Sequence, residues 1–122
     1  MLDPSTFQDE AQFDEYEKVV RGEGGPVILY ADLRAENVQP ANGRYFTYTE
    51  FTGIVGGYFE FASLADGRML VCNEDGALKR LPYNPGATAL FNQGGRPSFD
   101  PIAGDVLICA LELLEVPEDE WE

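Results

Sequence analysis

The sequence predicts an α+β domain, a single antiparallel sheet with two or three short helices packed on one side. Three observations predict it. Apolar residues recur at helical spacing near the start and again around residues 51 and 87. Residues 58–64 alternate apolar and polar as a strand does. The pairs Asp66-Gly67 and Asp75-Gly76 fall where strands would be folded back into hairpins. The 122 residues are one domain's length, and the hydrophobic share of 44% is enough for a core.

Residues 5–21 read as a helix. Ser5 or Thr6 caps its first turn, Asp9 and Glu10 suit its positive end, and Phe13, Tyr16 and Val20 form an apolar stripe. Gly22, Gly24, Gly25 and Pro26 end it. The chain therefore divides into an acidic N-terminal helix with a Gly-rich linker (1–26), an α+β core (27–114) and an acidic tail (115–122). The helix either packs on the core or stands partly free. Residues 27–33 read as a strand with Val27, Leu29, Ala31 and Leu33 on one face, and residues 40–43 as a turn. Tyr45, Phe46, Thr47 and Tyr48 favour extended chain. Thr49 is then expected to cap a short helix that ends at Gly56 and Gly57 and turns Phe51, Ile54 and Val55 inward.

The strand at 58–64 turns at Asp66-Gly67 and returns as 68–72, and Asp75-Gly76 predicts a second reversal into 77–81. Asn84-Pro85 starts a helix carrying Ala87, Leu90 and Phe91. Residues 92–101 read as an exposed loop, and 102–114, the longest apolar run, as a central strand. Residues 116–122 form a tail with one tryptophan, Trp121.

Much of this stretch follows one order of pieces. Thr49-Glu50-Phe51 leads to Val55-Gly56-Gly57-Tyr58-Phe59-Glu60, then Asp66-Gly67-Arg68-Met69-Leu70-Val71 and Asn73-Glu74-Asp75-Gly76. Leu81-Pro82-Tyr83-Asn84, Ala87-Thr88-Ala89-Leu90 and Ile102-Ala103-Gly104-Asp105-Val106-Leu107 follow. In these pieces residues 48–111 resemble the family called domain of unknown function 3846, found in phage, plasmid and related bacterial genomes. The resemblance implies an accessory protein of a mobile element and brings no catalytic residues with it. The N-terminal helix and the acidic tail lie outside it.

Charge is the other strong signal. Twenty-two acids against eight bases give −14, with a pI near 4.1. Residues 1–25 hold seven acids and two bases, and residues 111–122 hold six acids and no base. Such a surface repels nucleic acid and anionic membrane and attracts a basic protein. It also serves solubility alone, which is the plain alternative. No apolar run is long enough to cross a bilayer, and the start has no secretory pattern, so a cytoplasmic protein is expected.

Histidine is missing altogether, which removes Ser-His and Cys-His pairs and most transition-metal sites. No phosphate-binding loop or dinucleotide fingerprint appears. Cys72 and Cys109 each end an apolar run and read as buried thiols, although neighbouring strands could still bring them together. These features predict a non-enzyme with no catalytic residue, no metal and no cofactor.

Two candidate sites remain. Asp9, Asp14, Glu15 and Glu17 on the helix, with Glu118, Asp119, Glu120 and Trp121 nearby in space, present negative charge and an aromatic anchor to a basic host or partner protein, as a DNA mimic does. The contrasting reading is that the charges are only solvated and Trp121 folds back on the sheet. The second site lies where bases outnumber acids: Lys79, Arg80, Tyr83, Asn84, Thr88 and Arg96 could hold a nucleotide-like anion at a helix N-terminus. Its contrast is an ordinary charged strand edge and a simple helix start. A third reading is a structural domain that pairs with itself through exposed strand edges.

Overall fold

The computed structural model describes residues 2–76, 78–92 and 101–114. The last apolar run supplies the centre of the sheet: β5 (Val106–Cys109) is buried along its whole length, as a strand covered on both faces must be. On one side β5 pairs with β1 (Val27–Leu29), which pairs with β2 (Ala35–Asn37). On the other it pairs with β4 (Met69–Asn73), which pairs with β3 (Phe59–Ser63). The order is β2-β1-β5-β4-β3 and every pairing is antiparallel, so the chain has an α+β fold built on one antiparallel sheet.

Alternation along the strands divides the apolar residues between two layers. Val27, Leu29, Leu70, Cys72, Val106 and Ile108 meet Phe7, Tyr16 and Val19 from α1 (Glu10–Val20) and its approach, and Ala87 and Leu90 from α3 (Pro85–Asn92). Val71, Leu107 and Cys109 face the other way, beneath Phe51 and Val55 of α2 (Tyr48–Val55), with Phe46 and Leu114. The helices thus cover both faces, where the sequence pattern suggested one side. Leu70-Val71-Cys72 and Val106–Cys109 are apolar at consecutive positions, so each face needs its own cover. Cys72 and Cys109 consequently point to opposite faces and are free thiols. Burial pushes each thiol up to about 12.

The N-terminal helix belongs to the core and is not a separate segment. Asp9, rather than Ser5 or Thr6, caps α1 by accepting from the Gln12 N–H at 2.8 Å, and a single 3-10 turn Pro4–Thr6 precedes it. Phe7 packs against Phe13 and Tyr16, each with ring centroids 5.2 Å apart. At the far end Arg68 donates from Nη1 to the Val19 carbonyl at 2.8 Å and from Nη2 to the Val20 carbonyl at 3.5 Å. It thereby adds a charged donor to the last carbonyls of the helix, of which that of Val19 also accepts from the Gly22 N–H at 3.1 Å.

Three local expectations change. The strand expected over 27–33 stops at Leu29, turns at Tyr30–Arg34, and returns as β2. Residues 45–48 do not form a strand: Phe46 bridges Leu114, and Thr47, not Thr49, caps α2 through a reciprocal box with Glu50. Gly56 ends α2 in the left-handed conformation at φ 82°. Residues 78–81 form no strand, because β4 already has β3 and β5 on its two sides and leaves no edge for a second hairpin. Most of the loop at 92–101 and the tail at 116–122 lie outside the described residues.

Candidate functional site

The β1–β2 connection builds an unusual surface from five residues. The Tyr30 N–H donates to the Arg34 carbonyl and the Leu33 N–H to the Tyr30 carbonyl, both at 2.9 Å. The Asp32 carboxylate accepts from the Arg34 N–H at 3.0 Å and from its Nε at 2.8 Å. Those bonds, the main-chain one foremost, hold the Asp32 carboxyl below its usual range, and the Asp32 partner raises the Arg34 guanidinium. Leu33 takes φ 77°, a left-handed conformation that costs a leucine about 1 kcal/mol. Its side chain is buried in the α1-side core, which offsets that cost.

Above this turn the Arg34 guanidinium lies 4.6 Å from the centre of the Tyr30 ring. The Tyr30 hydroxyl donates to Glu36 Oε1 at 2.8 Å, and that bond pushes the phenol up. The Ala31 N–H donates to Asp105 Oδ1 at 2.9 Å, tying the turn to the segment before β5.

Open depressions flank the Tyr30–Arg34 stack. One, of about 410 Å³, lies against α1 and is lined by Asp9, Gln12, Glu15 and Glu36. The other, of about 460 Å³, is lined by Asp32, Pro82 and Asp105. Tyr30 and Arg34 contribute to both. Five carboxylates thus surround one tyrosine and one arginine. Among the described residues no three acidic or thiol groups gather closely enough to hold a metal ion, so this is a broad shelf rather than an ion cage.

The helix residues of the expected acidic site do not all share one surface. Asp9 and Glu15 line the shelf. Asp14 and Glu17 lie toward Arg21, which they and, more strongly, Glu23 raise. Glu118, Asp119, Glu120 and Trp121 lie outside the described residues. Sequence reading missed Tyr30, Asp32, Arg34, Glu36 and Asp105. The available signal was the recurrence of Ala-Asp-x-Arg at 31–34 and 65–68, which marks residues 31–34 as a turn like the recognised one.

The expected anion site is also divided. Lys79 and Arg80 sit in an exposed turn, Arg80 at φ 56°, and a methyl placed on Gly57 would lie 2.8 Å from the Lys79 Nζ, just past the end of α2. Tyr83 is exposed. Asn84 is completely buried: its Nδ2 donates to the Leu29 and Gly104 carbonyls at 3.0 and 2.9 Å, and its Oδ1 accepts from the Ala87 N–H at 2.9 Å. Thr88 is buried too, donating to the Asn84 carbonyl at 2.8 Å and accepting from the Ile102 N–H at 3.0 Å. Asn84 and Thr88 are therefore corrected from ligand donors to structural ties, since their polar atoms are used inside the protein. Arg96 lies outside the described residues.

The profile of a family described as Domain of unknown function (DUF3846) matches residues 26–118, most of the chain. The chain belongs to this family. The match begins at Pro26, so β1 to β5 fall inside it and α1 precedes it. No curated protein and no solved structure matches the chain. No helix among the described residues is long and apolar enough to cross a membrane.

Proposed function

We propose that this chain is a non-enzymatic protein-binding module that docks a basic face of a partner protein on the acidic shelf beside Tyr30. The observation that carries the reading is the set of five carboxylates spread on both sides of the Tyr30–Arg34 stack. Spread carboxylates suit a surface of lysines and arginines, which they steer during encounter over the roughly 8 Å that physiological salt permits. Tyr30 supplies an amphipathic anchor. An incoming arginine exchanges with Arg34 over the same ring, so docking keeps the cation–π contact. In this reading the protein is a cytoplasmic accessory or counter-defence protein of a phage or plasmid, and it occludes a nucleic-acid-binding groove by presenting negative charge as DNA does.

The test is titration of the full chain with a fluorescent arginine-rich peptide at rising salt. Glu15→Gln combined with Glu36→Gln should weaken binding by about fivefold, roughly 1 kcal/mol. Asp14→Asn combined with Glu17→Gln, on the outer side of α1, should change it by less than about twofold. Equal losses in the two double variants would show that only total charge matters and remove the shelf as a site.

A further inference from the structure

The two outer strands of the sheet are finished differently. β2 has three residues, carries Glu36 and Asn37, lies against α1, and has Asn37 Nδ2 bonded to the Gly24 carbonyl at 2.7 Å. β3 has five residues, Phe-Glu-Phe-Ala-Ser, with no proline and no lysine. Among the described residues nothing pairs with its outer edge. Edge strands in soluble proteins are ordinarily short, charged, bulged or covered; β3 carries one charge, Glu60, pairs with β4 without a bulge, and is unpaired on its outer side among the described residues.

Two bonds establish which β3 groups face outward. The Glu74 N–H donates to the Tyr58 carbonyl, and the Leu64 N–H to the Arg68 carbonyl. With the register Phe59↔Asn73 to Ser63↔Met69, the residues bonded to β4 are therefore 58, 60, 62 and 64. The N–H and C=O groups of Phe59, Phe61 and Ser63 point away from β4 to the open edge. The side chains of Phe59 and Phe61 lie on the α2 face, packed with Phe51 at 5.0 and 5.5 Å between ring centroids. Phe61 is nevertheless 38% exposed, and Tyr58 just before the strand is 74% exposed.

We propose that β3 joins two copies of this chain, antiparallel and centred on Phe61, into one continuous sheet. This goes beyond the docking of a basic partner and does not depend on it. The strand is complementary to itself in this register. Phe61 meets Phe61 of the second copy as a hydrogen-bonded pair, and Phe59 meets Ser63, so every outward donor finds an acceptor. Glu60, the strand's single charge, projects from the other face opposite Ala62. Centring one residue earlier would oppose Glu60 to itself, and like charges in that position are destabilising. The self-match is what favours a second copy over an unrelated strand.

The −14 charge on each chain opposes the pairing, so it should tighten as salt rises, the reverse of docking to a basic protein. Sedimentation equilibrium of the full chain over a concentration series tests this. The mass should climb from 13.5 kDa toward twice that value. The dissociation constant should fall by at least about threefold between about 0.05 and 0.5 M salt, as screening shortens from about 14 to 4 Å. A monomer mass at every concentration and both salts overturns the proposal. Ser63→Pro deletes an outward N–H without touching the β4 ladder and should weaken association by about tenfold. Unchanged association of this variant also overturns it. If the variant does not fold, hydrogen exchange in the unmodified chain decides: the Phe59, Phe61 and Ser63 amides should exchange more slowly in concentrated than in dilute samples, and rates independent of concentration refute the pairing.

Discussion

The β1–β2 and β3–β4 hairpins close with the same device and put it to different uses. Ala31-Asp32-Leu33-Arg34 and Ala65-Asp66-Gly67-Arg68 share a pattern in which aspartate accepts from the arginine N–H, at 3.0 and 3.1 Å, and from its Nε, at 2.8 Å in both. The residue between them is left-handed in each, Leu33 at φ 77° and Gly67 at φ 92°. The arginines then part company. Arg34 is 64% exposed and stacked on Tyr30, whereas Arg68 is 17% exposed and bonded to the end of α1. Local sequence builds the turn; what lies above the arginine decides whether it clamps a helix or borders a docking surface.

The largest expected effect abolishes the contrast by unfolding both hairpins. Burial raises Tyr16, Cys72 and Cys109 to about 12. In the unfolded chain these groups ionise from about pH 9 to 10. The stability they contribute as neutral groups is thus full below pH 9 and is lost as pH rises toward 12. Denaturation midpoints should be flat between pH 7 and 8.5 and fall steeply above about pH 9.5. A flat profile to pH 11 would contradict the buried placement of these groups.

Below that range the arginines separate the hairpins. Arg68→Ala should cost about 2–3 kcal/mol in urea unfolding, because it leaves helix-end carbonyls without a charged donor in a mostly covered position. Arg34→Ala should cost about 0.5 kcal/mol or less, as an exposed pair does. Equal costs would break the distinction between clamp and surface residue.

The left-handed residues sharpen it further. Leu33→Gly relieves about 1 kcal/mol of backbone strain but deletes a buried side chain, for a net loss of about 1–2 kcal/mol. A methyl on Gly67 would meet nothing within 4 Å, so Gly67→Ala should lose only about 1 kcal/mol, from the backbone alone. A stabilised Leu33→Gly would mean that strain outweighs burial in the first hairpin.

Several elements were legible because the deciding contacts are close in sequence. Asp66-Gly67, the start of α3 at Asn84-Pro85 and the stop of α2 at Gly56 carry their own signals in glycine, proline and capping side chains. Leu33 hid the first hairpin, since leucine takes φ 77° only when a core is present to receive it. Asn84 and Thr88 read as ligand donors because nothing local shows that the Leu29 and Gly104 carbonyls will occupy them. The shelf was only half visible, since Asp9 and Glu15 reach Tyr30 and Glu36 through the packing of α1 on the sheet, and Asp105 joins through its bond to the Ala31 N–H.

By itself the sequence determined the acidic balance, the stop of α2 at Gly56, the start of α3, the glycine turn and the buried central strand, each a property of a few adjacent residues. Tertiary structure alone decided that helices cover both faces, that the cysteines point apart, which arginine is a clamp, and which carboxylates share a surface. Those outcomes depend on strand order and on which face each side chain takes. Such information is set by contacts between residues dozens of positions apart, and it exists only once the sheet has formed.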